Sequence, residues 1–534
     1  MSRLQRHWPL VAGLALLLLQ VGAVLCVSLH MNQGTFVYAL DDPYIHMSMA
    51  RNIVEHGVWG VTPYGFSSSS SSPLWLVLLS GSYAVAGANA IAPLILNIVA
   101  AVVLLVMAYR ILRAMEVGQT GTFIGLAALV LFFPLVPVIF CGLEHVVHAA
   151  IALFFTYRAA RVLAGRQLSC TALLVAAPFL TTIRYEGAMM VGVVALLFVL
   201  RRRPVPAAAL LLLGALPVVC YGIFSMAHGW LFLPNPILLK GNVPSFGTLA
   251  GIRTFISEGA YTRLVHEPHL LLMLVAGAGA LLHTLMRQRT LFTVRGVMQT
   301  VMLATMALHL QFAGIGWFHR YEAYLVGLFV IATMPTWCEL WAALRERAAN
   351  VRGGRALATT ALLAAMLPFL HRGSKVLVTP TATANIYRQQ YQMGLFLQQH
   401  GKGMAVAAND IGAICWLADI HLVDVYGLGS LETARLRMAG RTSPQQTARI
   451  AREHGVALAI VYDTWLARDG GVPPGWNAVG RWTIGNNVVC GSETVTFYAV
   501  ADGSRTVRDD LTTFSRSLPE GVSVSYVGDV VDIR

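Results

Sequence analysis

The sequence predicts a polytopic α-helical membrane protein of about 11 to 13 transmembrane helices with a C-terminal exoplasmic α/β domain. Three observations predict it. The 534 residues are 56% hydrophobic and only 12% charged, with a mean hydropathy of +0.64, which is far too apolar for a soluble chain of this size. Apolar runs of spanning length recur through the first 371 residues. Beyond Leu370 the composition turns polar, gaining Asp, Gln, Thr and Asn.

The first run, Pro9 to Leu29, follows Arg3, Arg6 and His7. It has the length of a full span and no small-x-small cleavage site after it, and Ala23-Val24-Leu25 before Cys26 lacks the small residue that a lipoprotein signal needs. It reads as an uncleaved signal anchor with a cytoplasmic N-terminus. Further runs fall at 73–112, 120–140, 145–164, 168–182, 187–200, 205–226, 268–286, 297–315, 321–342 and 355–371. The basic clusters Arg110/Arg113, Arg158/Arg161/Arg166, Arg201 to Arg203, Arg287/Arg289/Arg295 and Arg345/Arg347/Arg352/Arg355 belong in the cytoplasm by the positive-inside rule. About eleven crossings satisfy all of them if 73–112 crosses once net, with a break at Gly87-Ala88-Asn89-Ala90; a version with about thirteen needs another split.

That topology gathers the distinctive segments on the exoplasmic side. They are the loop 30–72, the turns Cys141 to His145, Thr182 to Gly187 and Gly314 to Glu322, the loop Ala227 to Glu267, and everything after His371. Polar residues held at one face of a bundle imply one shared site. The chain therefore divides into a membrane domain, 1–371, and an exoplasmic α/β domain, 372–534, with an apolar run at 404–408, a helix near 444–454 and strands at 457–462 and 494–500. The formal charge of +13 does not indicate a nucleic-acid partner, because the arginines sit in short loops where topology explains them. Cys415 and Cys490, the two cysteines of the second domain, are a candidate disulfide in an oxidising exterior. The other five fall in or beside apolar segments and read as packing residues.

Asp41 and Asp42 are the only aspartates in the first 409 residues. Asp42-Pro43 makes a good helix start, and Ile45, Met49 and Ile53 mark one face of a short amphipathic helix that ends near Gly57 and should lie flat on the outer leaflet. Capping needs one aspartate and Asp42 serves. Asp41 is left beside an apolar surface, where desolvation and its neighbour's charge raise its pKa and fit it to act as a general base. Capping and catalysis are compatible readings of the pair.

The signal anchor, the acidic pair opening an amphipathic helix in a large first exoplasmic loop, and a following Ser-Pro-Leu-Trp resemble the GT-C class of membrane glycosyltransferases. Within that class the chain is most similar to the bacterial group that includes the mycobacterial terminal arabinofuranosyltransferases. The matching phrases are DDPYIHMSMARNIVEHGVWG at 41–60, SSPLW at 71–75, CGLEH at 141–145, TIRYEG at 182–187, LPNPILLKG at 233–241, HRYEAYL at 319–325 and NDIGAICWLADIHLVDVYGLG at 409–429. Each is short, and the ordered combination carries the specificity. One departure is that Tyr64-Gly65-Phe66 and the six serines Ser67 to Ser72 replace a glycine- and glutamate-bearing phrase, which bears on the identity of the sugar. The serine run by itself reads as a flexible tether or as a contact for sugar hydroxyls.

The resemblance implies transfer of a sugar, with arabinofuranose a leading candidate, from a polyprenyl-phosphate donor to an envelope glycan or glycolipid. Inversion at the sugar carbon is expected from the class. Such a reaction needs a base for the acceptor hydroxyl and positive charge for the departing lipid phosphate. Asp41 is the expected base, with Asp42 assisting or capping. Lys240, the only lysine before residue 375, suits the phosphate as a point charge, or it snorkels at the interface. Arg320, beside His319, either clamps the same phosphate or pairs with Glu322. Arg184 and Glu186 either pair with each other or touch substrate, and Asn235 lies in the proline-broken segment with Lys240. Glu144 is either a favourable carboxylate at a helix N-terminus or a ligand for a sugar hydroxyl or a divalent metal. His145 and His148, one turn apart, read first as packing residues and second as metal ligands. Trp59 and Tyr64 belong either to an interfacial aromatic belt or to a sugar-stacking surface.

A transporter or lipid flippase is the principal alternative, but no repeated halves are visible and the acids collect at one end rather than at mid-membrane. In a third reading the chain is a non-enzymatic scaffold whose outer domain is the working part.

Overall fold

A computed structural model describes residues 3–241, 249–349, 354–500 and 504–527. The N-terminal part runs through α1 (Arg3–Met31), α2 (Asp42–His56), α3 (Pro73–Ala86), α4 (Ala92–Ala114), α5 (Gln119–Phe132), α6 (Leu135–Phe140), α7 (His145–Leu163), α8 (Thr171–Ile183), α9 (Gly187–Leu200), α10 (Pro204–Ala227) and α11 (Asn235–Lys240). It continues through the short α12 (Leu249–Ile256) and α13 (Thr262–His266) to α14 (Pro268–Gln288), α15 (Val294–Phe312), α16 (Ala323–Ala349) and α17 (Gly354–Gly373). Among the described residues, six helices are long and apolar enough to cross a membrane: α1, α4, α7, α10, α14 and α16. The apolar helices α3, α5, α8 and α9 are 13 or 14 residues long.

The breaks have local causes. Between α3 and α4, Gly87 takes a left-handed turn (φ 74°), and the Asn89 side chain accepts the amides of Ile91 and Ala92 at 3.1 and 2.9 Å, which opens α4. The expected run 120–140 divides at Pro134, whose missing N–H and extended backbone (ψ 108°) separate α5 from α6.

After α17 the chain forms α18 (Lys375–Ile386) and α19 (Gln392–His400) and then a six-stranded sheet. Its strands are β1 (Ala405–Ala408), β2 (His421–Asp424), β3 (Leu458–Val461), β4 (Asn477–Ile484), β5 (Thr494–Ala499) and β6 (Val522–Tyr526), in the order β2-β1-β3-β5-β4-β6. β1 pairs in parallel with β2 and β3, and the remaining pairings are antiparallel. Interleaved with the strands are α20 (Gly412–Leu417), α21 (Leu431–Met438), α22 (Pro444–Glu453), α23 (Asp463–Arg468) and α24 (Ser504–Ser515). Phe396 of α19, Trp482, Phe497 and Phe514 form one aromatic core, with Trp482 and Phe514 stacked at 5.7 Å.

Three expectations need correction. α2 does not present a free polar face at a lipid surface; it packs between α3 and α20, and residues 43–50 are all buried. Its polar side chains are satisfied internally, Ser48 donating to the Tyr44 carbonyl (2.7 Å) and Asn52 to that of Gly60 (2.9 Å). The serine run is no tether. Ser67, Ser68, Ser69, Ser70 and Ser72 are buried, with Ser68 bonded to the Tyr221 hydroxyl at 2.8 Å, Ser72 donating to the Ile183 carbonyl at 2.7 Å, and Ser72 capping α3. Cys415 and Cys490 are both free: Cys415 lies within α20, and the Cys490 thiol, in the β4–β5 loop, donates to Gln390 Oε1 at 3.3 Å.

Candidate active site

A cavity of about 190 Å³ opens where one end of the helical bundle meets the sheet domain. Its walls come from separate segments: the start of α2, the serine run, the α6–α7 and α8–α9 turns, α11, the α15–α16 loop, and Leu428 after β2. These are the loops that alternate with the arginine-rich ones, so the parity of the helices brings them together.

Two charged clusters meet in it. In the first, Asp42 forms an ion pair with Arg320, and its other oxygen lies 3.9 Å from Lys240 Nζ. Burial alone would raise the Asp42 pKa, but Lys240 and Arg320 outweigh it and hold the carboxyl well below its usual range. Arg320 also donates to the Tyr321 hydroxyl (3.0 Å), while its Nε and Nη1 are buried without a hydrogen-bond partner. Spare donors on a buried guanidinium beside a lysine make a ready anion site. In the second cluster, Arg184 grips both oxygens of Glu186 (3.1 and 2.5 Å) and Glu144 Oε1 (2.7 Å). Glu144 Oε2 and His145 Nδ1 are buried and unpartnered. The Tyr321 ring lies between the clusters, 4.9 Å from the Arg320 guanidinium and 5.4 Å from that of Arg184.

The loop that delivers Arg320 and Tyr321 is a left-handed turn. Gly316, Trp317, Phe318 and His319 have φ of 75°, 44°, 66° and 56°. Arg372, fully buried, holds it by pairing with Glu322 and donating to the His319 carbonyl (3.0 Å), to those of Phe132 and Phe133 (3.0 and 3.2 Å) and to His269 (2.9 Å). Glu322 Oε2 in turn accepts the Gly316 amide at 2.9 Å. Arg372→Met leaves Glu322 uncompensated in the interior and should cost about 3–5 kcal/mol, seen as a large fall in melting temperature of the detergent-solubilised protein.

Several expected site residues stand elsewhere. Both Asp41 oxygens are taken by backbone amides of α20, from Gly412 (2.6 Å) and Ala413 (2.7 Å), and Asp41 does not line the cavity. At the other end of α20, Arg51 of α2 donates to the carbonyls of Trp416 and Cys415 (2.7 and 3.1 Å). α20 is thus clamped to α2 at both ends, the Asp41 oxygens accepting its first amides and the Arg51 guanidinium, a positive charge that matches the helix dipole, donating to its last carbonyls. Glycine is needed at 412, because a Cβ there would fall 2.1 Å from the Asp41 carbonyl oxygen. His319 lies behind the cavity wall, 3.4 Å from Glu322. Asn235 bridges to the sheet domain through the Gly427 carbonyl (2.8 Å). Trp59 packs on Tyr221 and Phe224, and Tyr64 stacks on His421 at 3.7 Å and donates to Asp419 at 2.6 Å, so neither reaches the cavity. His148 packs on Tyr324 at 4.4 Å. Among the described residues, no group of three or more His, Cys, Asp or Glu is placed to hold a metal ion.

Asp410, which the sequence analysis passed over, sits beside Asp41, bonded to Gln390 (2.8 Å) and the Tyr462 hydroxyl (3.2 Å). Burial, and then the charge of Asp410, push the Asp41 carboxyl well above its usual range, and burial raises Asp410 as well. A folded-state pKa above the unfolded value contributes stability that is full below the unfolded value and is lost as pH rises through the folded one. The clamp between α2 and the sheet domain should therefore be tightest at acid pH, below the ordinary carboxyl range, and loosen as pH rises above it. Asp410→Asn should flatten that dependence, and melting curves across pH would check it.

Comparison with known proteins adds the following. A family model described as a domain of unknown function (DUF8728) matches residues 384–498. No curated protein matches the chain by sequence. Among solved structures, the chain is similar to ArnT from Cupriavidus metallidurans bound to undecaprenyl phosphate, with a TM-score of 0.52 and 11% identity, covering 92% of this chain and 99% of that one. ArnT of the same organism in the apo state gives a TM-score of 0.49 and 12% identity over the same shares. The first likeness shows the fold: a polytopic helical membrane protein of GT-C type ending in a small sheet-containing domain.

Proposed function

We propose that the chain is a glycosyltransferase that moves a sugar from a polyprenyl-phosphate donor to an envelope glycan or glycolipid. The single observation carrying this is the juxtaposition, in one cavity, of a carboxylate with a buried arginine that has donors to spare and with a lysine. The fold shared with an ArnT crystallised with undecaprenyl phosphate supports the choice of donor. The matching motifs make arabinofuranose the first sugar to test. The arginine-rich loops at the opposite end support an exoplasmic position for the cavity end and for residues 372–534.

The base is assigned to Asp42 rather than to Asp41, whose oxygens are already engaged. The acceptor hydroxyl attacks the sugar carbon bonded to phosphate while Asp42 accepts its proton. The C–O bond to phosphate breaks with its electron pair, and the lipid phosphate leaves with one more negative charge than it carried in the donor. Arg320 and Lys240 meet that added charge, so their attraction is stronger at the transition state than in the bound donor. Glu144 and His145, with open acceptor and ring positions, face the sugar's hydroxyls, and Arg184 and Glu186 orient Glu144. A single displacement inverts the configuration.

Before the donor binds, Asp42 is a poor base because both cations hold it. The donor phosphate competes for those cations, and as they turn to it the Asp42 pKa rises. The acid limb of kcat should therefore lie at higher pH than the acid limb of kcat/KM. The function is tested by supplying polyprenyl-phosphate sugars to purified protein and measuring release of lipid phosphate. A transporter or scaffold would release none.

A further inference from the structure

A second cavity lies at the far end of the bundle, and we propose that it binds a phosphate group, carried by an anionic lipid headgroup. It measures about 600 Å³ and is walled by the last turn of α7, the end of α4 and the α14–α15 turn. Arg161 lies 17 residues along α7 from Glu144, so the two sites stand about 25 Å apart on one helix.

Arg161, Arg166 and Arg295 line it, and Glu116 is the one carboxylate among the lining residues. Arg295 pairs with Glu339, while among the described residues the side chains of Arg161 and Arg166 make no hydrogen bond or ion pair. The wall also orients guanidinium groups. Arg161 lies over Tyr157 at 5.9 Å, and Arg201 lies over Phe292 at 4.7 Å, both rings being part of the cavity lining. An arginine seated on an aromatic face keeps its N–H edge free, and that edge matches a phosphate bidentately. Topology alone requires arginines on this side of the membrane. It does not require arginines of separate helices to converge on one cavity with aromatic seats. Basic pockets between membrane helices at a bilayer surface are suited to phospholipid headgroups.

The test is native mass spectrometry of the full-length protein in neutral detergent. Phosphatidylglycerol, phosphatidylcholine and inorganic phosphate are added separately to wild type and to Arg161→Gln/Arg166→Gln, neither of which gives up a carboxylate partner. Wild type should retain phosphatidylglycerol over phosphatidylcholine, and the double variant should bind it about thirtyfold more weakly with an unchanged melting temperature. Inorganic phosphate that binds alone and displaces the lipid would keep the chemistry and make free phosphate the source. Phosphatidylglycerol bound equally by both proteins, or no more tightly than phosphatidylcholine, would overturn the proposal. The comparison is independent of the proposed transferase activity, since Arg320 and Lys240 are intact in both proteins.

Discussion

Asp42→Asn should lower turnover about a thousandfold, within the usual range for loss of a positioned general base, while the protein keeps its fold and its donor affinity. Asparagine occupies nearly the same volume and can still accept a hydrogen bond from Arg320, so the turn at 316–319 has no reason to move. What it cannot do is take a proton from the acceptor. The change also removes the anion that competes with the donor for Arg320 and Lys240. Donor KM should consequently stay level or fall while kcat collapses, a pattern that general unfolding would not produce. Asp41→Asn should behave differently. It replaces one of the two oxygens that accept amides of α20 with an NH2 donor, at a cost of about 1–3 kcal/mol, and so acts first on thermal stability and on the docking of the sheet domain. If Asp41→Asn stopped turnover without loss of stability and Asp42→Asn did not, the two roles would be reversed.

Removing the cations should be nearly as damaging, with the opposite kinetic signature. Arg320→Met is expected to reduce kcat/KM about a thousandfold and Lys240→Met about a hundredfold, because each withdraws charge from a leaving group that gains charge at the transition state. Arg320 carries the larger effect since it is fully enclosed, whereas the Lys240 side chain is 36% exposed and more screened by water. In Arg320→Met the Asp42 carboxyl also loses its closest partner. Its pKa should rise, moving the acid limb of any residual kcat/KM to higher pH. An undiminished rate in both variants would remove the phosphate assignment.

Much of this site was legible in the sequence because membrane topology is. Positive-inside parity put Asp42, Glu144, Arg184, Glu186, Lys240 and Arg320 at one end of the bundle, although they come from distant loops, and all six line the cavity. The break at Gly87 to Ala90, the helix at 444–453 and the strands at 458–461 and 494–499 follow from local pattern alone. What stayed hidden depends on partners far along the chain. Asp41 and Asp42 are adjacent and chemically alike, and only contact with amides more than 370 residues away tells the clamp from the base. The serine run looks flexible by composition, yet its hydroxyls are used by Tyr221 and by the Ile183 carbonyl. Nothing local in the sequence sets Arg372 apart, because its work is done on carbonyls of residues 132, 133 and 319. β2 and β4 lacked a strong alternating pattern of apolar residues and were missed for that reason, whereas β6 alternates Val-Ser-Val-Ser-Tyr at 522–526 and was legible though unread.

The most direct test of the central claim is a structure of the full chain with undecaprenyl phosphate bound. The account predicts the phosphorus within about 4 Å of the Arg320 guanidinium and of Lys240 Nζ, with the Asp42 carboxylate released from at least one of them and turned towards open cavity. A phosphate seated away from both cations, with the Asp42–Arg320 pair unaltered, would contradict it.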